Sequence, residues 1–420
     1  MRMGKLEIFD EIVRIMHEDS SSCKDKQGAD PADFRAHISE SMDKKDFLFT
    51  VRSYLASFGL TGHLGFGMNG MPAIPFKVQR YNNELYVKQV MAECPLKKGD
   101  RIIKLDGMSV KDFGEKHKEF LYNETEERQG FFWRQNLLRL AKNLTYIHGS
   151  DEIEIPVPNA LNLTEEEPYL CKDLGNSTAY IKLIDFGDEE KIQKLYEDNA
   201  ELLDNCRYLI ADVRENGGGS DTAFLPLLKY ALPNGKSLVE SMVKEDYYSS
   251  KGSETNYSEN NCDIRIEMFS EYLDQELPDE TMQILNGMVQ DLRDHRGEGF
   301  VKVQDDMDLP IVGDSKVEKF FIITDEGCAS SGDSFVEIFK TFEKVTVVGR
   351  PTFGILDYSN IIIKEYGDYS FAYPTSRLCI LDDGEGMTNH GIPVDIYVPW
   401  TPKQLEHDVM LEKVLELIDK

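Results

Sequence analysis

The sequence predicts an α/β fold, and three observations carry that expectation. Two short apolar runs, Tyr208-Leu-Ile-Ala211 and Phe320-Phe-Ile-Ile-Thr324, read as buried strands, and each runs into a turn of small residues and then a helical pattern. The same alternation surrounds them: a strand at Ala179-Tyr-Ile-Lys-Leu-Ile184, a helix from Lys191 to Asn205, and a further strand from Val345 to Val348. Strands that alternate with helices are built to form a sheet covered by helices. A chain of 420 residues also exceeds one ordinary core, so two or three domains are expected.

Composition narrows the function classes. A net charge of -29 and a pI near 4.7 repel nucleic-acid phosphates and anionic lipid. No run of about 18 apolar residues is present to span a membrane. The start, Met1-Arg-Met-Gly-Lys-Leu-Glu-Ile-Phe-Asp10, has no uninterrupted apolar stretch or small-residue cleavage site, which predicts a cytoplasmic protein without a secretory signal. Seven scattered cysteines form no Cys-x-x-Cys pair, arguing against a disulfide framework or a zinc site. Neither a metal nor an organic cofactor is expected.

Along the chain, residues 1–60 place Leu6, Phe9, Ile12, Val13 and Met16, then Phe47, Val51, Tyr54 and Leu55, at helical spacing. This predicts an N-terminal helical bundle, broken by the polar loop at 19–28, that serves packing or dimerisation and leaves a homo-oligomer open. Residues 74–157 read as short strands, including Leu85-Tyr-Val-Lys-Gln-Val90 and Arg101 to Leu105, with a tight Asp106-Gly107 turn. This stretch resembles a PDZ domain, with a helical insertion at 114–147 around Phe131-Phe-Trp-Arg-Gln-Asn-Leu-Leu-Arg-Leu140. Whether it holds peptide by strand addition or only packs stays open. The core is expected over 168–420. Within it the polar segment 235–310 reads as a lid-like insertion with a helix from Pro278 to Asp294, and an amphipathic helix from Leu405 to Ile418 closes the chain.

The chemistry concentrates at two turns, Asp212-Val-Arg-Glu-Asn-Gly-Gly-Gly-Ser220 and Cys328-Ala-Ser-Ser-Gly-Asp-Ser334. A strand-to-helix turn can expose a serine hydroxyl above a sheet, and the helix start behind it offers main-chain N–H groups to an anion. Three glycines in a row let a substrate carbonyl approach the backbone closely. A phosphate-binding loop is disfavoured because no Lys-Ser/Thr follows them. Asp212 and Arg214 are expected to hold the turn in shape.

From about residue 50 to the C-terminus these motifs resemble the C-terminal processing peptidases, a serine peptidase family with tricorn-like and retinoid-binding branches. The resemblance implies a stacked ββα core of the ClpP/crotonase type beside the PDZ-like domain. It implies Ser330 as nucleophile, because the family's serine precedes an acidic residue by three places and Asp333 stands there. A plain helix cap at Ser330, boxed by Asp333, is the competing reading. Ser331 is a weaker nucleophile candidate, and Ser334 lies a turn inside the helix. One branch of the family uses a lysine base where Ile355 stands here, and isoleucine cannot take a proton. The tricorn-like branch uses a histidine, and Phe58-Gly-Leu-Thr-Gly-His-Leu-Gly-Phe66 is similar to its motif, which implies His63 as general base. Gly62 replaces the serine that this branch has before the histidine.

The oxyanion hole implied by the resemblance combines the N–H of Ser331 with that of Gly218, or next Gly219. The acid that orients the histidine is expected just before Gly391-Ile-Pro-Val-Asp395, where Thr388 stands. Glu385 is the candidate in its place, with Asn389 and His390 open. The whole predicts a serine endopeptidase acting on peptides or unfolded protein segments. The alternative is an inactive protein that binds peptide or an apolar ligand on the same fold.

Overall fold

The computed structural model describes residues 3–122, 125–164, 167–241, 248–273, 279–303 and 309–419. The chain folds as two compact units. The first gathers Met1–Asn69, Tyr248–Asp306 and Ile355–Gly386, and the second gathers Gly70–Tyr247, Met307–Gly354 and Met387–Lys420. This partition cuts across the contiguous domains expected from sequence, because strands distant in the chain share sheets.

In the first unit the long strand Tyr369–Leu378 is the spine of an antiparallel sheet. Gly65–Met68, Ser253–Tyr257 and Tyr358–Glu365 all pair with it, and Gly299–Val303 pairs with Ser253–Tyr257. The helices Lys5–Glu18, Pro31–Arg35 and Lys44–Ala56 belong to this unit. Asp30 and Asp43 cap the second and third, each accepting a main-chain N–H two residues on. Their apolar faces bury Phe9, Phe47 and Tyr54. Phe47 meets the stacked pair Phe66 and Tyr369 edge-on, at ring separations of 5.7 and 5.2 Å.

The expected lid is not a separate cover. Its strands Ser253–Tyr257 and Gly299–Val303 extend the sheet, and the helices Glu259–Leu273 and Asp279–Asp294 connect them. Its parts at 242–247, 274–278 and 304–308, including Pro278, lie outside the described residues.

The start of the polar loop after the first helix, residues 19–22, is also buried. Asp19 accepts from Ser258 Oγ at 2.6 Å and Asn260 Nδ2 at 2.8 Å, and Ser21 Oγ donates to the carbonyl of Ser376. Arg377, 0% exposed, reaches both oxygens of Asp25 at 2.7 and 2.9 Å, Asp382 at 3.0 Å, and Glu254.

The second unit holds two sheets. One is antiparallel, in the order Phe76–Tyr81, Glu84–Val90, Arg101–Leu105, Asn143–His148, Asp151–Pro156. The helical stretch expected through 147 ends at Leu140; Asn143–His148 instead pairs on both sides and buries Leu144 and Tyr146. The other sheet runs Ile396–Tyr397, Val345–Gly349, Lys319–Thr324, Tyr208–Asp212, Thr178–Leu183, Tyr169–Asp173, parallel except for the last strand. Strands of a parallel sheet are covered on both faces, which explains their unbroken apolar runs. The helix Val409–Ile418 sets Met410 and Val414 against Ile210, Phe321, Ile323 and Val348. The helix Ser331–Lys340 stacks Phe335 and Phe339 with Phe224 and Phe320. Among the described residues no helix is long and apolar enough to cross a membrane.

Removing one partner of a buried ion cluster leaves the others charged and unmatched, so Arg377→Ala is expected to lower the unfolding free energy by about 3–5 kcal/mol. Urea titration followed by circular dichroism measures it, with Arg207→Ala, whose partner Glu318 is exposed on the surface, changing stability by less than about 1 kcal/mol.

Candidate active site

Two strands of the parallel sheet, Tyr208–Asp212 and Lys319–Thr324, lie side by side and end together, which brings the glycine turn and the serine turn into contact. Gly218 has φ of 90°, and a Cβ there would lie 2.6 Å from Ser330 Cβ and 3.1 Å from Ser330 Oγ. Only glycine admits this approach. Gly219, at φ 145°, passes equally close to the backbone of Phe186, where a Cβ would meet the carbonyl carbon at 2.2 Å.

Asn216 joins the two turns and was missed in the sequence analysis. It is 0% exposed. Its Nδ2 donates to the carbonyl of Leu183 at 2.9 Å, its Oδ1 accepts from the N–H of Gly218 at 2.9 Å, and its own carbonyl accepts from the N–H of Ala329 at 2.8 Å. The available signal was asparagine immediately before a glycine run, since Asn readily hydrogen-bonds a main-chain N–H two residues on. Asp212 and Arg214 also hold the turn: the guanidinium pairs with Asp212 and, at 2.8 Å, with Asp408, while Tyr180 donates to Asp212 at 2.7 Å.

Ser330 caps the helix Ser331–Lys340 with φ of 58°, a backbone conformation that costs a non-glycine residue about 1–3 kcal/mol. Such strain is maintained because its surroundings over-determine it. Asp333, 0% exposed, accepts from the N–H of Ser330 at 2.9 Å through one oxygen and from the N–H of Gly354 at 2.9 Å through the other. The turn at 351–354 is held in its place by Arg128, which donates to the carbonyls of Pro351, Thr352 and Phe353, and by Phe353, whose N–H donates to the carbonyl of Cys328. Ser330 is half-buried, whereas Ser331 is buried with its hydroxyl donating to the carbonyl of Gly219 at 2.8 Å. Ser334 is buried in the first turn of the helix.

The main-chain donors separate as clearly. The N–H of Gly218 is occupied by Asn216 Oδ1, while those of Gly219 and Ser331 have no acceptor among the described residues. Of the two glycines expected from sequence, Gly218 has its N–H engaged by Asn216 and Gly219 does not.

His63 belongs to the first unit, in the segment before the strand Gly65–Met68, with φ of 57°. Its Nδ1 donates to the main-chain carbonyl of Tyr358 at 2.5 Å. Burial holds its pKa below the ordinary imidazole value of 6.5, opposed by the carbonyls of Tyr358 and Ile355. The orienting contact expected from a carboxylate is thus made by a carbonyl. Glu385 is exposed, its charge felt by Lys251. In the same unit Ile355 packs on Gly62, where a Cβ would lie 2.3 Å from Ile355 Cγ2. Gly62 and Ile355 therefore share one packing site. In the second unit Thr388 and Asn389 are half-buried and His390 is exposed. Among the described residues no group of His, Cys, Asp and Glu side chains is arranged to hold a metal ion.

Comparison with known proteins follows this geometry. Among solved structures, mature CPAF is similar with a TM-score of 0.62 at 13% identity, covering 99% of this chain and 96% of that one. Mature CPAF complexed with lactacystin is similar with a TM-score of 0.59 at 13% identity, covering 99% and 97%. At these identities the likeness shows the fold, a mixed α/β architecture. No protein with a curated description matches in sequence. The sequence profile of peptidase family S41 matches residues 177–398, which take in both turns and the parallel sheet, and the chain belongs to that family of serine-type C-terminal processing peptidases.

Proposed function

We propose that this protein is a serine endopeptidase acting on peptides or unfolded protein segments, with Ser330 as nucleophile and His63 as general base. The observation that carries the reading is the strained Ser330 backbone pressed against Gly218, an arrangement no structural helix cap requires. His63 removes the hydroxyl proton as Ser330 Oγ attacks the scissile carbonyl, and returns it to the leaving amine. The Nδ1–H bond to Tyr358 favours the tautomer in which Nε2 accepts that proton. The N–H groups of Gly219 and Ser331 stabilise the tetrahedral oxyanion, and Asn216 positions the first by occupying its neighbour. The antiparallel sheet of the second unit, read as PDZ-like, holds substrate by strand addition.

A second reading, an inactive binding protein on the same fold, is favoured by Ile355, which fills with an apolar side chain the place of the family's lysine. Labelling with a fluorophosphonate probe separates the two. The parent protein is expected to label and Ser330→Ala to remain unlabelled; no labelling of the folded parent overturns the peptidase reading.

Because burial lowers the His63 pKa, its imidazole is neutral at pH 6.5 and above, and the charged form takes over only below that. A plot of kcat/KM against pH is therefore expected to be flat through neutrality and to fall below pH 6.5. His63→Ala should lower kcat by about 100- to 10,000-fold and abolish that acid limb. Asn216→Ala frees the Gly218 N–H and loosens the turn, with an expected loss of about 100- to 1000-fold in kcat at nearly unchanged KM.

A further inference from the structure

A cavity of about 790 Å³ lies in the second unit between the antiparallel sheet and the parallel one. Most of the charge on its wall is already matched. Lys77 and Lys88 both pair with Glu215, Arg214 with Asp212 and Asp408, and Arg350 with Asp325 and Glu326. Three ammonium groups stand outside these pairs. Lys97 and Lys98, exposed, and Lys182, half-buried on the strand Thr178–Leu183, make no close ion pair among the described residues, although the charge of Lys182 also acts on Asp408. The same wall also carries apolar side chains, Leu96, Val90, Leu405 and the ring of Trp400, which packs edgewise on Tyr81. The volume is that of an ordinary ligand site. In a chain of net charge -29, three lysines without a close ion-pair partner on one cavity wall are a local reversal of sign.

We propose that this cavity is an exosite for acidic segments of the substrate, with carboxylates at Lys97, Lys98 and Lys182 and aliphatic or aromatic side chains against Leu96 and Trp400. It rests on the peptidase reading, which makes peptides the natural occupant, and names the substrate class of that activity. A peptide fits the wall better than a small phosphate ester does. The lysines come from two separate segments on a wall that also carries apolar side chains, and both arginines, whose planar forks would best grip a phosphate, are already engaged. The cavity also touches Glu215, the residue before Asn216, so an occupant lies next to the start of the glycine turn.

The test is fluorescence anisotropy with a labelled peptide of alternating Glu and Leu, and with matched Gln-Leu and Lys-Leu peptides, on the full-length Ser330→Ala protein. The acidic peptide is expected to bind at least about tenfold tighter than the neutral one, with affinity falling steeply from about 50 to about 300 mM salt. Lys97→Glu combined with Lys98→Glu, both at exposed positions, should remove that advantage without changing the thermal midpoint. Lys182→Gln should reduce it separately. Equal binding of acidic and neutral peptides, an acidic peptide held as tightly by the double variant, or displacement by inorganic tripolyphosphate with no peptide preference overturns the exosite. Binding needs no turnover, and hydrolysis of the neutral peptide by the Ser330 protein is followed separately. Failure of the peptidase reading thus shows as absent hydrolysis, whatever the binding result.

Discussion

The serine turn depends on main-chain hydrogen bonds made by two fully buried side chains, Asn216 and Asp333. Parallel strands end with carbonyl and N–H groups that the sheet does not satisfy, and each such group left unmet in the interior costs about 1–3 kcal/mol. Asn216 answers this on the glycine turn, taking the Gly218 N–H and giving to the Leu183 carbonyl. Asp333 answers it on the serine turn, taking the Ser330 and Gly354 N–H groups. Because each side chain binds two segments at once, the turns are located relative to one another by bonds rather than by packing alone. That over-determination is what keeps Ser330 at a positive φ.

Two of the three positions at which the sequence departs from its family resemblance, Gly62 and Ile355, are joined by packing. Gly62 leaves a gap, and Ile355 fills it. An apolar side chain beside His63 raises the cost of an imidazolium, in keeping with a pKa lowered by burial. Family membership by itself leaves the chemistry open, because the fold supports sites and does not specify their use.

Where burial is symmetric, the sequence was legible. The strands Tyr208–Asp212, Lys319–Thr324 and Val345–Gly349 are covered on both faces and read as continuous apolar runs, so their positions agree with the expected ones within a residue. Where polar groups are buried, it was not. The segment from Asp19 to Asp25 has the composition of a solvent loop, yet it is the partner of Asn256, Ser258, Asn261 and Arg377. The segment 235–310 is similarly polar, but its strands complete a sheet whose other members come from residues 65–68 and 358–378. Pairing partners that far apart leave no periodic trace in either segment.

The sequence by itself determined the strands and helices of the parallel sheet, the two turns that hold the serine and the glycines, and the family, because these depend on local pattern and on side-chain identity. The tertiary structure alone decided that Asn216 occupies the Gly218 N–H and leaves that of Gly219 open, that His63 Nδ1 meets the carbonyl of Tyr358 while Glu385 is exposed, and that Lys97, Lys98 and Lys182 line one cavity. The reason is physical. Main-chain donors and acceptors are the same at every position in a sequence, and only the folded chain decides which of them meet.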